Sequence, residues 1–130
     1  MAQYKIYGYA PALDPRKALM SDVIHACSQA VLELPEGKRA HRFFPLARDD
    51  FFAPDGRTDD YTILEVNLFE GRTVATKKAL YRSLYESFER RLAIAPNDLE
   101  IILVETPRHD WGIRGLPGDE LADLTYRVDL

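Results

Sequence analysis

The sequence predicts an α/β fold in which two consecutive β-α-β units share one sheet, within a single domain of residues 1–130. Each half has the pattern strand, helix, strand, and the halves align at an offset of 61 residues as pseudo-repeats of about 3–46 and 61–106. Hydrophobic residues make up 46% of the chain, which is enough to build a core. Because β-α-β crossovers are almost always right-handed, both helices are expected on one face of the sheet.

The first unit begins with a strand over residues 5–9, which are rich in types that favour β structure. Asp14 and Pro15 predict a helix start, with Asp14 as the N-cap and Pro15 at the first helical position. The helix is expected to end at residues 34–37, and a second strand follows over 39–46. The apolar helical positions are Leu19, Val23, Ala26, Cys27, Ala30 and Val31.

The second unit is predicted to have a strand over 61–69, a helix opened by residues 71–73 and closed by 95–98, and a strand over 99–105. The last of these is almost continuously apolar, so it is expected to be buried on both faces. A short final strand is expected over 124–128. The apolar helical positions are Leu80, Leu84, Tyr85, Phe88 and Leu92.

The segment between the units, residues 48–60, is polar and turn-rich. It is predicted to be a hinge that Phe51 and Phe52 anchor. The alignment of the units pairs residues 17–19 with 78–80, both Lys-Ala-Leu. Two helices on one face leave the other face of the sheet uncovered, which predicts self-association.

Composition excludes several classes of function. The net charge of -4 and pI of about 5.4 argue against a nucleic-acid partner. No apolar run reaches membrane-spanning length and residues 1–5 do not resemble a signal peptide, so a cytoplasmic protein without a membrane partner is expected. The single cysteine, Cys27, is expected to be a core residue. The three histidines have no metal-ligand spacing, and no metal or cofactor is predicted.

Three stretches resemble those of a known family: residues 34–39 (LPEGKR), 67–73 (NLFEGRT) and 109–115 (HDWGIRG). Together with the tandem β-α-β order, they resemble the tautomerase superfamily, in particular the branch of malonate semialdehyde decarboxylase-like and uncharacterised bacterial proteins. The resemblance implies a homotrimer that acts on keto or unsaturated carboxylic acids by proton transfer. In that family an N-terminal proline, exposed by removal of the initiator Met, acts as general base or general acid.

This chain departs from the family at that position, because Ala2 stands where the proline is expected and the first proline is Pro11. Removal of Met1 would expose the α-amine of Ala2. Such an amine titrates near ~7.7–8.0, which suits proton transfer at neutral pH. The alternative is that residues 1–3 only begin a strand.

Arg72 is the strongest candidate for binding a carboxylate. It follows Gly71 at a predicted helix N-terminus, where backbone N–H groups and the helix dipole favour an anion. A guanidinium can also hold a carboxylate through two hydrogen bonds. The resemblance places this position in the pocket near the chain terminus. The alternative is a solvated arginine paired with Glu70.

Lys38, His41 and Arg42 form a second basic group at a strand start. Strand alternation predicts that His41 and Arg42 point to opposite faces and cannot both line one pocket. By resemblance, Lys38 stands where decarboxylase-like members carry an acid, which argues against decarboxylation. His41 is a candidate proton shuttle. The alternative is a structural histidine.

Trp111, the only tryptophan, is by resemblance an apolar wall of the pocket, and its alternative role is to anchor the tail by packing. Arg114 is expected to add positive charge or to pair with Asp119 or Glu120. Three functional hypotheses follow. The first is a small tautomerase-type enzyme, and the second is a non-catalytic module that binds small carboxylates on the same trimeric scaffold. The third is that only the oligomeric scaffold is used, for interaction with another protein.

Overall fold

A computed structural model describes residues 2–122 and 127–130, and its centre is a four-stranded sheet. The strand order is β2-β1-β3-β4. The outer strands pair in parallel with their inner neighbours, and β1 pairs antiparallel with β3. The predicted tandem β-α-β fold is confirmed. The strands are β1 (Ala2–Tyr9), β2 (His41–Leu46), β3 (Thr62–Phe69) and β4 (Leu99–Thr106).

The helical segment after β1 begins earlier than predicted. A short helix α1 (Ala10–Leu13) is followed by a 3-10 turn (Asp14–Arg16) and then by α2 (Lys17–Leu32). The predicted start at Asp14 is therefore wrong by one turn. Pro11 lies in the first turn of α1, where a missing N–H costs no hydrogen bond. The second proline of this region is accommodated in the tighter 3-10 turn.

The helix of the second unit, α3 (Val74–Leu92), matches its prediction. Thr73 is the N-cap, and its side chain accepts a hydrogen bond from the Thr76 N–H at 3.2 Å. Helices α2 and α3 lie against each other, and their buried side chains share one core cluster with the buried side chains of β1 and β3. The buried side chains of α3 are Leu80, Leu84, Phe88 and Leu92.

The two units repeat in the structure at 60 residues, one fewer than the sequence alignment indicated. Strands β1 and β3 begin at Ala2 and Thr62. Helices α2 and α3 both end before a residue in the left-handed region, Glu33 (φ 56°) and Ala93 (φ 55°). The Lys-Ala-Leu match is therefore coincidental. In the structural register, buried Met20 corresponds to Leu80, whereas Leu19 is 42% exposed.

The two faces of the sheet differ in exposure. The helix-facing side chains of β1 and β3 are buried, whereas the second face is open in the protomer. On that face Tyr7 stacks on Phe44 with ring centroids 4.8 Å apart. The prediction that the strand over 99–105 is buried on both faces is wrong for the protomer, because Ile102 and Val104 of β4 are 53% and 40% exposed.

The segment between the units is anchored, but by only one of the two predicted phenylalanines. Phe51 packs against Tyr9 and stacks on Tyr61, with centroid distances of 5.0 and 5.2 Å. Phe52 is 86% exposed. Buried Asp98 adds a second anchor, because its carboxylate accepts hydrogen bonds from the N–H and the hydroxyl of Thr58 at 2.8 and 2.6 Å.

After β4 the chain forms a 3-10 turn (Arg108–Asp110) and a small hairpin of β5 (Gly112–Ile113) and β6 (Leu116–Pro117). The expected strand over 124–128 falls mostly on residues 123–126, which lie outside the described residues. Within the described part of the chain, no helix has both the length and the hydropathy needed to cross a membrane.

Candidate functional site

One end of the sheet brings together most of the candidate residues, and we call it the Ala2 edge. Strands β1 and β2 start there, whereas β3 and β4 end there, because the two pairs run in opposite directions. Ala2 lies opposite Leu68, and Tyr4 lies opposite His41. The topology therefore places the first residue of β1 between the basic start of β2 and the segments that follow β3 and β4.

Ala2 is buried, with 1% of its surface exposed. In the sheet it lies in one row with Leu68 and Glu105, on the side that faces the helices. Glu105 forms an ion pair with Lys77 of α3. The start of β1 is thus held on its helix side by packed groups, and the next residue along the strand, Gln3, is the first to reach the opposite side.

Arg72 is buried, with 5% of its surface exposed, so the alternative of a solvated surface arginine is wrong. Its Nη1 donates a hydrogen bond to the Phe69 carbonyl at 3.1 Å. The hydrogen-bond donors at the N-terminus of α3, beside Arg72, are partly occupied. The Thr73 N–H, the Thr73 hydroxyl and the Thr76 hydroxyl all contact the Leu130 carbonyl oxygen, at 3.3, 2.9 and 2.7 Å.

Trp111 packs edge-to-face on Phe69 with centroids 5.1 Å apart, and its Nε1–H donates to the Thr106 hydroxyl at 2.6 Å. The wall role and the anchoring role are therefore compatible. Arg108, which the sequence did not single out, holds this arrangement. Its guanidinium lies 5.7 Å from the Phe69 ring centroid and donates to the Gly118 carbonyl at 3.1 and 2.9 Å.

A basic depression of about 350 Å³ lies beside the start of β1, lined by Gln3, Arg39, Ala40, His41 and Arg42. Arg42 is exposed, and its Nη2 lies 3.5 Å from the Gln3 Oε1. Arg39 pairs with Asp22 at 2.7 Å. The expectation that His41 and Arg42 cannot line one pocket is wrong. Because β2 is an edge strand, a depression at its start reaches residues of both faces.

His41 is half-buried, and its Nδ1 lies 2.7 Å from the Ser21 hydroxyl. Burial, together with the nearby charges of Arg39 and His25, lowers the pKa of His41 to about 4. The imidazole is therefore neutral at pH 7 and does not change its protonation state in the neutral range. This favours its structural role.

The two remaining candidates lie on loops. Lys38 is half-buried in the segment before β2, where its N–H donates to the Pro35 carbonyl at 3.0 Å. Arg114 is exposed in the turn of the β5–β6 hairpin, with a φ of 50°. Lys38 therefore lies just before the start of β2, on that side of the Ala2 edge. Arg114 lies at the tip of the hairpin that follows Trp111.

His41 also predicts a pH dependence of stability. Because its pKa lies near 4 in the folded protein and near 6.5 in the unfolded chain, the unfolded chain binds the proton more readily. Its contribution is complete above pH 6.5 and is lost as the pH falls towards 4. Allowing for partial exposure, we expect a loss of about 1–2 kcal/mol in the free energy of unfolding.

Urea unfolding between pH 7.5 and 4.5 measures this loss. The His41→Gln variant should lose that part of the pH dependence. The His109→Gln variant, whose histidine side chain is 66% exposed in the native protein, should keep the wild-type curve. A wild-type slope in His41→Gln would refute the assignment.

Comparison with known proteins decides the family. The family model described as tautomerase enzyme matches residues 38–114. A probable tautomerase of Ralstonia nicotianae is 34% identical over 55 residues, which are 42% of this chain and 79% of that protein. This chain belongs to the tautomerase family. The probable tautomerase YusQ of Bacillus subtilis is 33% identical over 63 residues, 48% of this chain and about half (50%) of that protein.

Solved structures support the same fold. Native fused 4-OT superposes with a TM-score of 0.82 at 20% identity, covering 93% of this chain and 99% of that one. Malonate semialdehyde decarboxylase superposes with a TM-score of 0.80 at 22% identity, covering 92% and 99%. Another fused 4-OT, with a TM-score of 0.81 at 20% identity and coverage of 93% and 99%, is described as an asymmetric trimer. At these identities the tautomerase fold is what the neighbours share with this chain.

Proposed function

We propose that this tautomerase-family chain binds a small keto or unsaturated carboxylic acid at the Ala2 edge and transfers a proton from the carbon next to its carbonyl group. The observation that carries the proposal is the basic depression directly beside the start of β1. It supplies an open, positively charged surface on a protein whose net charge is -4. An anionic substrate is therefore drawn to this part of the surface in particular.

Arg42 and Arg72 have different parts in this proposal. The exposed guanidinium of Arg42 holds the carboxylate directly through charge-assisted hydrogen bonds. Arg72 is buried beneath the edge and adds positive potential, which is weakly screened there by water. Trp111, which packs on the buried Phe69, forms the apolar wall at the end of β3. The carbonyl end of the substrate is thereby directed towards the start of β1.

The proton acceptor is the α-amine of Ala2, exposed when Met1 is removed. Its lone pair takes the proton from the carbon next to the carbonyl group, which leaves the enolate. The ammonium then gives a proton to the enolate oxygen, which forms the enol. In the reverse direction, the amine accepts the hydroxyl proton of the enol and returns a proton to the carbon. Burial of Ala2 on the helix side leaves only the side of the depression open to a substrate.

A second candidate function is a non-catalytic module that binds small carboxylates. The presence of Ala2 where the family carries proline favours it. In both cases we propose a homotrimer. The open face of the sheet, with exposed Ile102 and Val104, supplies apolar surface for contact with further copies. The trimeric fused 4-OT with the same fold supports this assembly.

The Arg42→Gln substitution tests the proposed site. Loss of a charge-assisted hydrogen bond worth about 1.5 kcal/mol should lower kcat/KM for phenylpyruvate tautomerisation about 10-fold. The measurement is a steady-state assay against the buffer rate. The matched control is Arg90→Gln on α3, because Arg90 is also exposed, with 64% side-chain exposure, and pairs only with Glu86 of its own helix among the described residues.

The outcomes separate the two candidates. A wild-type rate above buffer that falls with Arg42→Gln alone supports the enzyme. Rates equal to buffer, together with binding of the non-enolisable keto acid benzoylformate that depends on Arg42, support the binding module. If the protein shows no turnover and no binding, both candidate functions are refuted.

A further inference from the structure

The structural repeat places a second aromatic and arginine cluster at the opposite edge of the sheet, at the end of β1. The 3-10 turns Arg48–Asp50 and Arg108–Asp110 occupy equivalent positions in the two units. Each brings a guanidinium over an aromatic side chain at a strand end and is followed by a second ring. The clusters are Tyr9, Arg48 and Phe51 in the first unit, and Phe69, Arg108 and Trp111 in the second.

The geometry of the two clusters is similar. The ring centroids are 5.0 Å apart for Tyr9 and Phe51, and 5.1 Å apart for Phe69 and Trp111. The Arg48 guanidinium lies 4.6 Å from the Tyr9 ring centroid, and the Arg108 guanidinium lies 5.7 Å from that of Phe69. The two units therefore carry the same set of groups at opposite ends of the sheet.

The clusters differ in what their arginines bind. Arg108 binds the segment after the β5–β6 hairpin, because it donates hydrogen bonds to the carbonyl oxygens of Gly118 and Leu121. Arg48 has a side chain that is 66% exposed and forms an ion pair with Asp59 at 2.7 Å, itself 76% exposed. An ion pair between two exposed side chains contributes little, so another carboxylate can replace Asp59 at small cost.

The first cluster also opens on a depression of about 360 Å³, which no part of the tautomerase site uses. Phe52 stands at its rim with 86% of its surface exposed, although the chain here is tied down through Phe51 and through the Thr58–Asp98 hydrogen bonds. Phe52 is one of two phenylalanines that line this depression, so its exposed ring and Phe51 together supply adjacent apolar surface beside the Arg48 guanidinium. The lining includes Tyr9, Arg48, Phe51, Phe52, Arg57 and Asp59.

We propose that this depression, the Phe52 site, is a second binding site that takes a small planar carboxylate with an aromatic or unsaturated body. The planar body packs against Phe52 and Phe51. The carboxylate displaces Asp59 and forms paired hydrogen bonds with the Arg48 guanidinium, whose flat face is held against Tyr9.

The Phe52 site binds without turnover. In the structural register, the strand start equivalent to Ala2 is Thr62, an internal residue whose hydroxyl donates to the Asp60 carbonyl at 2.8 Å. It has no α-amine. Ala12 occupies the position equivalent to Arg72. The site therefore stands apart from the proposed tautomerase function and does not depend on it.

Titration of the full-length protein with benzoate, followed by backbone-amide NMR, tests the proposal. The Arg42→Gln variant serves as the background, so that binding at the Ala2 edge is weakened. Saturable shifts are expected in residues 51–58. Adding Arg48→Gln should weaken binding at least 5-fold, whereas Asp59→Asn should tighten it about 3-fold, because it removes the carboxylate that competes for Arg48. Arg90→Gln is the matched charge control.

The opposite effects of the two substitutions make the test decisive, because general loss of structure in the loop would weaken binding in both variants. The proposal is overturned by the absence of saturable shifts in residues 51–58, by weaker binding in Asp59→Asn, or by equal effects of Arg48→Gln and Arg90→Gln. Activity at the Ala2 edge is measured separately with phenylpyruvate, so failure of one proposal does not decide the other.

Discussion

The Ala2→Pro variant is expected to tautomerise phenylpyruvate with a kcat/KM about 100-fold above that of the wild type, because the secondary amine of proline is a better-placed general base than the primary amine of Ala2. Proline supplies a secondary amine whose ring fixes the direction of the lone pair. Ala2 is the first residue of β1, the position at which a strand tolerates proline. The rest of the Ala2 edge is already in place.

The matched control is Ala2→Gly, which keeps a primary amine and should retain the wild-type rate within about 3-fold. Intact-mass spectrometry of each variant establishes whether Met1 has been removed. If Ala2→Pro with an exposed amine is no faster than the buffer reaction, the depression is not a tautomerase pocket, and the binding module is the better account.

Gly118→Ala is expected to cause the largest loss of stability near the site. A Cβ at this buried position would lie 2.3 Å from the Arg108 carbonyl oxygen and 3.1 Å from the Trp111 Cβ. The backbone must move, and such overpacking costs about 1–3 kcal/mol. Because Gly118 also donates its N–H to the Trp111 carbonyl at 2.7 Å, the indole should move with it.

Urea unfolding followed by circular dichroism measures the loss, and the fluorescence of Trp111, the only tryptophan, reports the local change. Gly37→Ala is the control, since a Cβ there meets nothing within 4 Å. Its free energy of unfolding should stay within about 0.5 kcal/mol of the wild-type value. Equal stability and emission in Gly118→Ala would show that the tail does not hold Trp111 as described.

The order of elements was predictable because strand composition, helical spacing and stop signals agree in both units. The start of the first helical segment was not, since Pro11 and Pro15 are both acceptable early helical residues and only the end of β1 decides between them. The repeat register was also missed. An identical Lys-Ala-Leu triplet outweighed the buried positions in the sequence alignment, although burial determines which residues are equivalent.

The candidate site was predicted in part. Arg72 and Trp111 follow β3 and β4, so any parallel pairing of these strands brings them together. The depression beside Ala2 depends on the strand order, which places β2 next to β1 at an edge, and local patterns do not encode that order. The role of Arg108 was missed, but its position 60 residues after Arg48 was a signal that the correct repeat register would have shown.

Titration with benzoylformate, a keto acid that cannot enolise, tests the central claim most directly, because it separates binding at the Ala2 edge from turnover. Followed by backbone-amide NMR, it should cause saturable shifts in Gln3, His41 and Arg42, and these should weaken about 10-fold in Arg42→Gln and stay unchanged in Arg90→Gln. The absence of saturable shifts in these residues would contradict the assignment of this edge as the carboxylate site.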